Sequence, residues 1–92
     1  MSLETSIYKL KISVPFEDWV AVCDSEANMQ MNKERGIIYL YKGVQKKDPA
    51  NVILIEQGGE GKSVAMFKDP TIKQLIESSG HVYDSTVISS YF

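Results

Sequence analysis

Two short apolar runs, Ile37–Tyr41 and Val52–Ile55, constrain the fold of this 92-residue chain more than any other feature. Both are rich in β-branched and aromatic residues, and both are apolar at consecutive positions, so they predict strands that are buried on both faces. The segment between them contains Asp48-Pro49, a pair typical of turns, which predicts a hairpin with a long loop. A sheet built around this hairpin needs cover on both faces.

Patterns on the N-terminal side of the hairpin predict a strand and then an interrupted helix. Ser6–Val14 alternates, with Tyr8, Leu10, Ile12 and Val14 on one face, as expected for a strand. Pro15 suits the first position of a helix, and Gly36 suits its left-handed end. Asp24-Ser25 favours a cap, so a break and restart are expected there.

The residues on the C-terminal side of the hairpin predict an interrupted helix and then a strand. Ser63–Lys68 has helical spacing, Asp69 and Pro70 restart a helix as N-cap and first residue, and Gly80 ends it before a β-rich segment, His81–Phe92. The order β-α-β-β-α-β predicts an α+β protein of the ferredoxin-like layout. We expect a single domain over residues 1–92, with a four-stranded antiparallel sheet and its helices on one face.

Charge and composition exclude several partners. Ten basic and twelve acidic residues are interspersed and give a formal net charge of -2, so no basic surface for nucleic acid or an anionic membrane is expected. The RNA-recognition motif shares this strand order, but its third strand needs aromatic and basic residues, and Asn51–Gln57 has neither. No signal peptide and no apolar run of roughly 20 residues is visible, so a cytoplasmic protein is expected.

One motif imitates a phosphate-binding loop. Gly61-Lys62-Ser63 follows a strand and precedes a helix, but the loop needs a glycine five residues before Gly61. Glu56 stands at that position, and its carboxylate would repel phosphate. We therefore interpret the segment as a glycine-rich connector and predict no nucleotide binding.

Three polar residues are the candidates for ligand binding. His81 is the only histidine, and Lys9 and Lys11 project together from the first strand, either into solvent or into a cavity. Cys23 lies on an apolar helical stripe beside acidic residues, so it is expected to be buried and inert. One histidine and one cysteine cannot complete a zinc site, and neither a metal nor a cofactor is predicted.

Three further segments match a known pattern: Lys11–Val20, Leu40–Val44 with Lys47-Asp48-Pro49, and Gly80-His81-Val82 with Ser89-Ser90-Tyr91. On these residues the chain resembles the dimeric α+β barrel superfamily, which includes small monooxygenases, isomerases and stress-response proteins. It more closely resembles a family of small uncharacterised cyanobacterial proteins. The resemblance implies a ferredoxin-like fold and dimerisation, without an activity. The monooxygenase branch commonly uses an Asn, a Trp and other polar groups in its cavity, and none is matched to this sequence, so catalytic residues stay unassigned.

Three functional hypotheses follow. The first is a homodimer, paired through the sheet face, that binds a small anionic or aromatic molecule between its two sheets. The second is a cofactor-free enzyme of the monooxygenase or isomerase type in the same cavity. The third is a non-catalytic regulatory or interaction module. The dimer is expected because a sheet face without helices would expose apolar residues of the central hairpin.

Overall fold

A computed structural model of the chain describes residues 2–92 as four strands and four helices. In chain order they are β1 (Leu3–Ile12), α1 (Phe16–Cys23), α2 (Glu26–Glu34), β2 (Ile38–Val44), β3 (Asn51–Gly59), α3 (Lys62–Lys68), α4 (Pro70–Ser78) and β4 (His81–Tyr91). None of the helices in this part of the chain is long and apolar enough to cross a bilayer.

The strands form one antiparallel sheet in the order β2-β3-β1-β4. This is the strand order of the ferredoxin-like α+β fold, so the predicted fold is confirmed. β1 begins at Leu3 rather than at Ser6, because residues from Leu3 onward already pair with the end of β3. Irregularities in pairing lie between Tyr39 and Tyr41 of β2 and between Lys9 and Lys11 of β1.

Capping residues divide each helical segment in two, as the sequence predicts. The Ser25 hydroxyl accepts a hydrogen bond from the backbone N–H of Asn28, and the Asp69 carboxylate accepts one from Thr71. Gly36 and Gly80 end the helical segments with φ of 69° and 90°, in the left-handed region that glycine tolerates. Pro15 lies at the N-cap of α1, so the helix starts at Phe16, one residue after the predicted start.

The helices cover one face of the sheet, and the core lies between these two layers. Tyr8, Leu10 and Ile12 of β1 pack there with Trp19 and Cys23 of α1. The predicted alternation in β1 is therefore confirmed, because the intervening Lys9 and Lys11 are exposed. Burial of Cys23 is confirmed as well.

The opposite face of the sheet carries no helix, and we call it the open face. Ile53 and Ile55 of β3 point there and are half-buried, whereas Val52 of the other parity joins the core. Tyr41 pairs with Ile55, and Val87 pairs with Lys9; both side chains are more than half exposed. The open face is thus largely apolar, with Lys9 and Lys11 among the apolar residues.

Candidate functional site

A cavity of about 210 Å³ lies between the helices and the covered face of the sheet. Its walls are mainly apolar and aromatic, with contributions from Trp19, Met31, Leu54, Phe67 and Ile72. Lining residues that are exposed, among them Val22 of α1 and Leu75 of α4, mark a mouth on the helical side. The cavity therefore opens away from the open face of the sheet.

A chain of three buried polar side chains enters this cavity. The Ser63 hydroxyl donates its one hydrogen to Glu56 Oε1. The Tyr8 hydroxyl lies 2.6 Å from Ser63 Oγ and must therefore donate to it. Ser63 points inward because it occupies the first turn of α3, directly above β1 and β3. The direction of the hydrogen bonds is thus fixed, from Tyr8 through Ser63 to Glu56.

Glu56 is a buried carboxyl group without a counter-ion. Only 8% of the residue is exposed, and the two ion pairs in the described part of the chain, Arg35–Asp69 and Lys42–Asp24, do not include it. Burial raises the pKa of Glu56, and the hydrogen bond from Ser63 opposes that rise. Burial also raises the pKa of Tyr8 well above its usual range. Glu56 is therefore the strongest base that the cavity can present.

Two amide side chains and a tyrosine lie at the α2 side of the cavity. Asn28 donates from Nδ2 to the carbonyl of Cys23 and, at 2.7 Å, to the Tyr39 hydroxyl. Burial raises the pKa of Tyr39 to about 12, and the amides of Asn32 and Asn28 beside the hydroxyl oppose that rise. Asn32 is 2% exposed, and its Nδ2 makes no hydrogen bond to a described residue. An unpaired buried amide is costly, so an acceptor supplied by water or by a ligand would stabilise the protein.

His81 lines the same cavity and is uncharged at neutral pH. Its ring packs beside Phe67 and Tyr83, and burial lowers its pKa to about 4. Thr86 donates its hydroxyl hydrogen to the carbonyl of Tyr83, so the 2.7 Å bond between His81 Nε2 and Thr86 Oγ1 must have Nε2 as its donor. Nδ1 then carries the lone pair. The imidazole is an acceptor, not a cation.

The other two candidates from the sequence lie elsewhere. Lys9 and Lys11 line a shallow depression of about 430 Å³ on the open face, together with Tyr41, Ile53 and Val87. Within one chain the sheet separates these lysines from His81. The structure therefore does not bring the three predicted residues into one cavity.

Three other features of the sequence also have a defined place. Cys23 lines the cavity, and burial raises the pKa of its thiol to about 12. The backbone N–H of Gly61 donates a hydrogen bond to the carboxylate of Glu4, and the Ser63 hydroxyl donates one to Glu56. In the Gly61-Lys62-Ser63 segment these donors therefore bind carboxylates. Residues 2–92 contain no group of three or more His, Cys, Asp and Glu side chains suited to a metal ion.

Sequence reasoning missed the residues that carry the polar part of the cavity. Glu56 has the same parity in β3 as Val52 and Leu54. Because the run Val52–Ile55 is apolar at both parities, this pattern did not show which parity faces the helices. Asn32 and Tyr39 had no signal in the sequence either. Their meeting depends on the angle at which α2 crosses the sheet, which periodicity does not encode.

Solved structures with the same fold cover nearly the whole chain. A proposed antibiotic biosynthesis monooxygenase from Bordetella bronchiseptica superposes with a TM-score of 0.71 at 9% identity, over 100% of this chain and 97% of its own. A NIPSNAP family protein from Agrobacterium tumefaciens gives 0.63 at 10% identity, over 99% and 92%. A conserved protein from Methanosarcina mazei gives 0.64 at 19% identity, over 99% and 92%. At these identities the likeness shows a shared fold.

Comparison of the amino-acid sequence, as opposed to the fold, identifies a family without an assigned activity. No curated protein matches the chain. A family model described as a domain of unknown function, DUF3764, matches residues 3–92, nearly the full length. The chain therefore belongs to the DUF3764 family.

Proposed function

We propose that this protein binds a small, uncharged and mainly apolar molecule in the cavity between its helices and its sheet. The observation that carries the proposal is the unpaired Nδ2 of Asn32, a buried donor in a mostly apolar cavity. Leaving such a group unsatisfied costs about 1–3 kcal/mol. A ligand with a hydrogen-bond acceptor would remove that cost, whereas a hydrocarbon would not.

The size and charge of the cavity define the ligand further. An apolar cavity of about 150 Å³ holds benzene, so the volume of about 210 Å³ suits one substituted ring. Among the described residues that line it, none is Lys or Arg, and His81 is neutral. An anion would meet Glu56 without a compensating cation. We therefore favour an uncharged ligand over the anionic one that the sequence left open.

Catalysis in the same cavity is the second candidate function. Its support is the buried hydrogen-bond chain that ends at Glu56, together with the fold shared with several proposed monooxygenases. Trp19 and Asn32 both line the cavity, which is the pair of residue types that the monooxygenase branch commonly uses there. Such an enzyme would act without a cofactor.

We also propose that two copies of the chain pair through their open faces. Ile53, Ile55, Tyr41 and Val87 would lie in that interface, and covering them would remove a large apolar surface from water. Lys9 and Lys11 would then face the second sheet. They remain candidates for binding an anion between the two sheets, separately from the cavity on the helical side.

A matched pair of probes tests the ligand proposal. Benzyl methyl ketone and isobutylbenzene have nearly the same shape, but only the ketone has an acceptor. Trp19 is the single tryptophan and lines the cavity, so its fluorescence reports occupancy. We expect both probes to bind and the ketone to bind roughly tenfold more tightly, the effect of about one hydrogen bond.

Substitution of the donor completes the test. Asn32→Leu should abolish the preference for the ketone while keeping isobutylbenzene bound. Gln74→Leu, an exposed position on α4, is the matched control and should leave the preference unchanged. Absence of binding by either probe, or a preference for the ketone that survives Asn32→Leu, would overturn the proposal.

A further inference from the structure

We infer that this cavity is built to move a proton from the carbon next to a carbonyl group, with Glu56 as the base and with Asn32 and Tyr39 holding the carbonyl oxygen. The substrate class is an uncharged ketone or related carbonyl compound with an acidic α-hydrogen. The inference rests on the proposed binding function and adds a reaction to it. Three independent features of the site point to it.

The first feature is a pair of unused donors. Asn32 Nδ2 has no acceptor, and the hydroxyl of Tyr39 accepts from Asn28 without itself donating to any described residue. The Asn32 amide lies close enough to this hydroxyl to oppose the rise in its pKa. Two adjacent donors in a dry cavity suit one oxygen atom that gains negative charge during a reaction. A carbonyl oxygen that becomes an enolate is such an atom.

The second feature is the position of Glu56. Tyr39 and Glu56 are cross-strand partners in the β2–β3 register, and both side chains lie on the covered face. Side chains paired in this way have Cβ atoms about 5 Å apart. The two side chains therefore start from neighbouring positions of the covered face, and the charge of Glu56 is near enough to contribute to the raised pKa of Tyr39. A ketone bound between them would present its α-carbon to the carboxylate and its oxygen to the hydroxyl.

The third feature is the support behind the carboxylate. The Ser63 hydroxyl donates a hydrogen bond to Glu56 Oε1, and the Tyr8 hydroxyl donates one to Ser63 Oγ. Oε2 makes no hydrogen bond to a described residue, so one oxygen is held and the other is left for proton transfer. Tyr8 and Ser63 are therefore positioning residues, whereas Glu56 would contact the substrate.

The reaction balances without a cofactor or a redox partner. Glu56 Oε2 takes the α-hydrogen as a proton, and the electron pair of the broken C–H bond forms a carbon–carbon double bond. The carbonyl π electrons move onto the oxygen, where Asn32 and Tyr39 stabilise the enolate. Return of the proton from Glu56 to the same carbon regenerates the ketone, and return to a more distant carbon of a conjugated enolate gives an isomer.

The titratable groups around Glu56 are Tyr8 of β1, Tyr39 of β2, Cys23 of α1 and His81 of β4. Burial raises the pKa of the first three, so they are neutral while the carboxyl group titrates. His81 is the other base in the cavity, but burial lowers its pKa to about 4, whereas burial raises that of Glu56, so the carboxylate is the stronger base. Lys42, the nearest cation to Tyr39, is paired with Asp24 at 3.0 Å. The rate should therefore rise with pH along a single ionisation, above the usual range of a glutamate.

Hydrogen exchange tests the inference directly. The benzylic hydrogens of benzyl methyl ketone exchange slowly with deuterium oxide, and proton NMR follows their loss. We expect the protein to accelerate this exchange at least tenfold over an equal concentration of acetate. Glu56→Gln should abolish the acceleration, because a positioned base commonly contributes 10²–10⁴-fold. Tyr39→Phe should reduce it roughly tenfold or more.

Controls separate this inference from the proposal beneath it. Glu77→Gln, an exposed carboxylate on α4, should keep the full rate, and circular dichroism checks that Glu56→Gln is folded. Ketone that binds in the Trp19 fluorescence assay without accelerated exchange overturns this inference and leaves the binding function standing. Ketone that fails to bind overturns both. Acceleration that survives Glu56→Gln, or that shows no pH dependence, rejects Glu56 as the base.

Discussion

The burial of His81 makes the stability of the protein depend on pH. Burial lowers its folded-state pKa to about 4, below the ordinary value of 6.5. Below pH 6.5 the unfolded chain takes up a proton and the folded protein does not, so the free energy of unfolding falls as the pH drops toward 4. The contribution of this residue is about 3 kcal/mol over that range.

Urea unfolding at about pH 7 and pH 4.5 measures this effect. His81→Phe keeps an aromatic ring beside Phe67 and Tyr83 but cannot titrate, so its stability should fall less across the same range. Equal pH dependence in both proteins would contradict the assignment. With 8% exposure and two aromatic neighbours, His81 loses packing when it is shortened, so His81→Ala should be clearly destabilising.

Cys23 should react slowly in the folded protein. Its thiol is buried, and its pKa is raised to about 12, so very little thiolate is present at neutral pH. We expect iodoacetamide to label the native protein at least tenfold more slowly than the urea-unfolded chain, as measured by mass spectrometry. Rapid and complete labelling of the native protein would show that the thiol is accessible through the cavity mouth.

At the level of elements, the break between α1 and α2 determines where the Asn28 and Asn32 side chains lie. Ser25 caps α2 through the N–H of Asn28, and the first turn of that helix carries the amide that binds Tyr39. Ser25→Ala should lower the free energy of unfolding by about 1 kcal/mol, the usual value of an N-cap. Ser25→Asp keeps the capping acceptor and should restore most of the loss in urea unfolding. Equal loss in both variants would argue against capping.

The elements themselves could be predicted from the sequence, and the polar site could not. Caps and glycine stops are local, so Ser25, Asp69 and Gly80 were sufficient to place the starts of α2 and α4 and the end of α4. Register is not local: the pairing of Tyr39 with Glu56 depends on an irregularity at Leu40 that leaves no mark in the hydrophobic pattern. Lys9 and Lys11 were correctly placed on the face opposite Tyr8. Their separation from His81 follows from its pairing with Ile12, a residue of the covered face.

For the whole molecule, the open face predicts association. Light scattering after size-exclusion chromatography should give about twice the chain mass of 10.3 kDa. Ile55→Asp places a charge in the centre of the open face and should yield a folded monomer. Met29→Asp changes an exposed apolar residue on the helical side and is the matched control, which should remain dimeric. A monomeric wild-type protein at tens of micromolar would refute pairing through the sheet.

The arrangement of the strands has a consequence for how the chain reaches its native state. β1 is made first and occupies the interior of the sheet, yet its two neighbours are β3 and β4, and Thr5 pairs with Tyr91. Its edge toward β3 can pair once residue 59 has been made, but its edge toward β4 stays unpaired until residues 81–91 follow. An open strand edge can pair with other chains, so this edge of β1 is prone to aggregation until the sheet is complete.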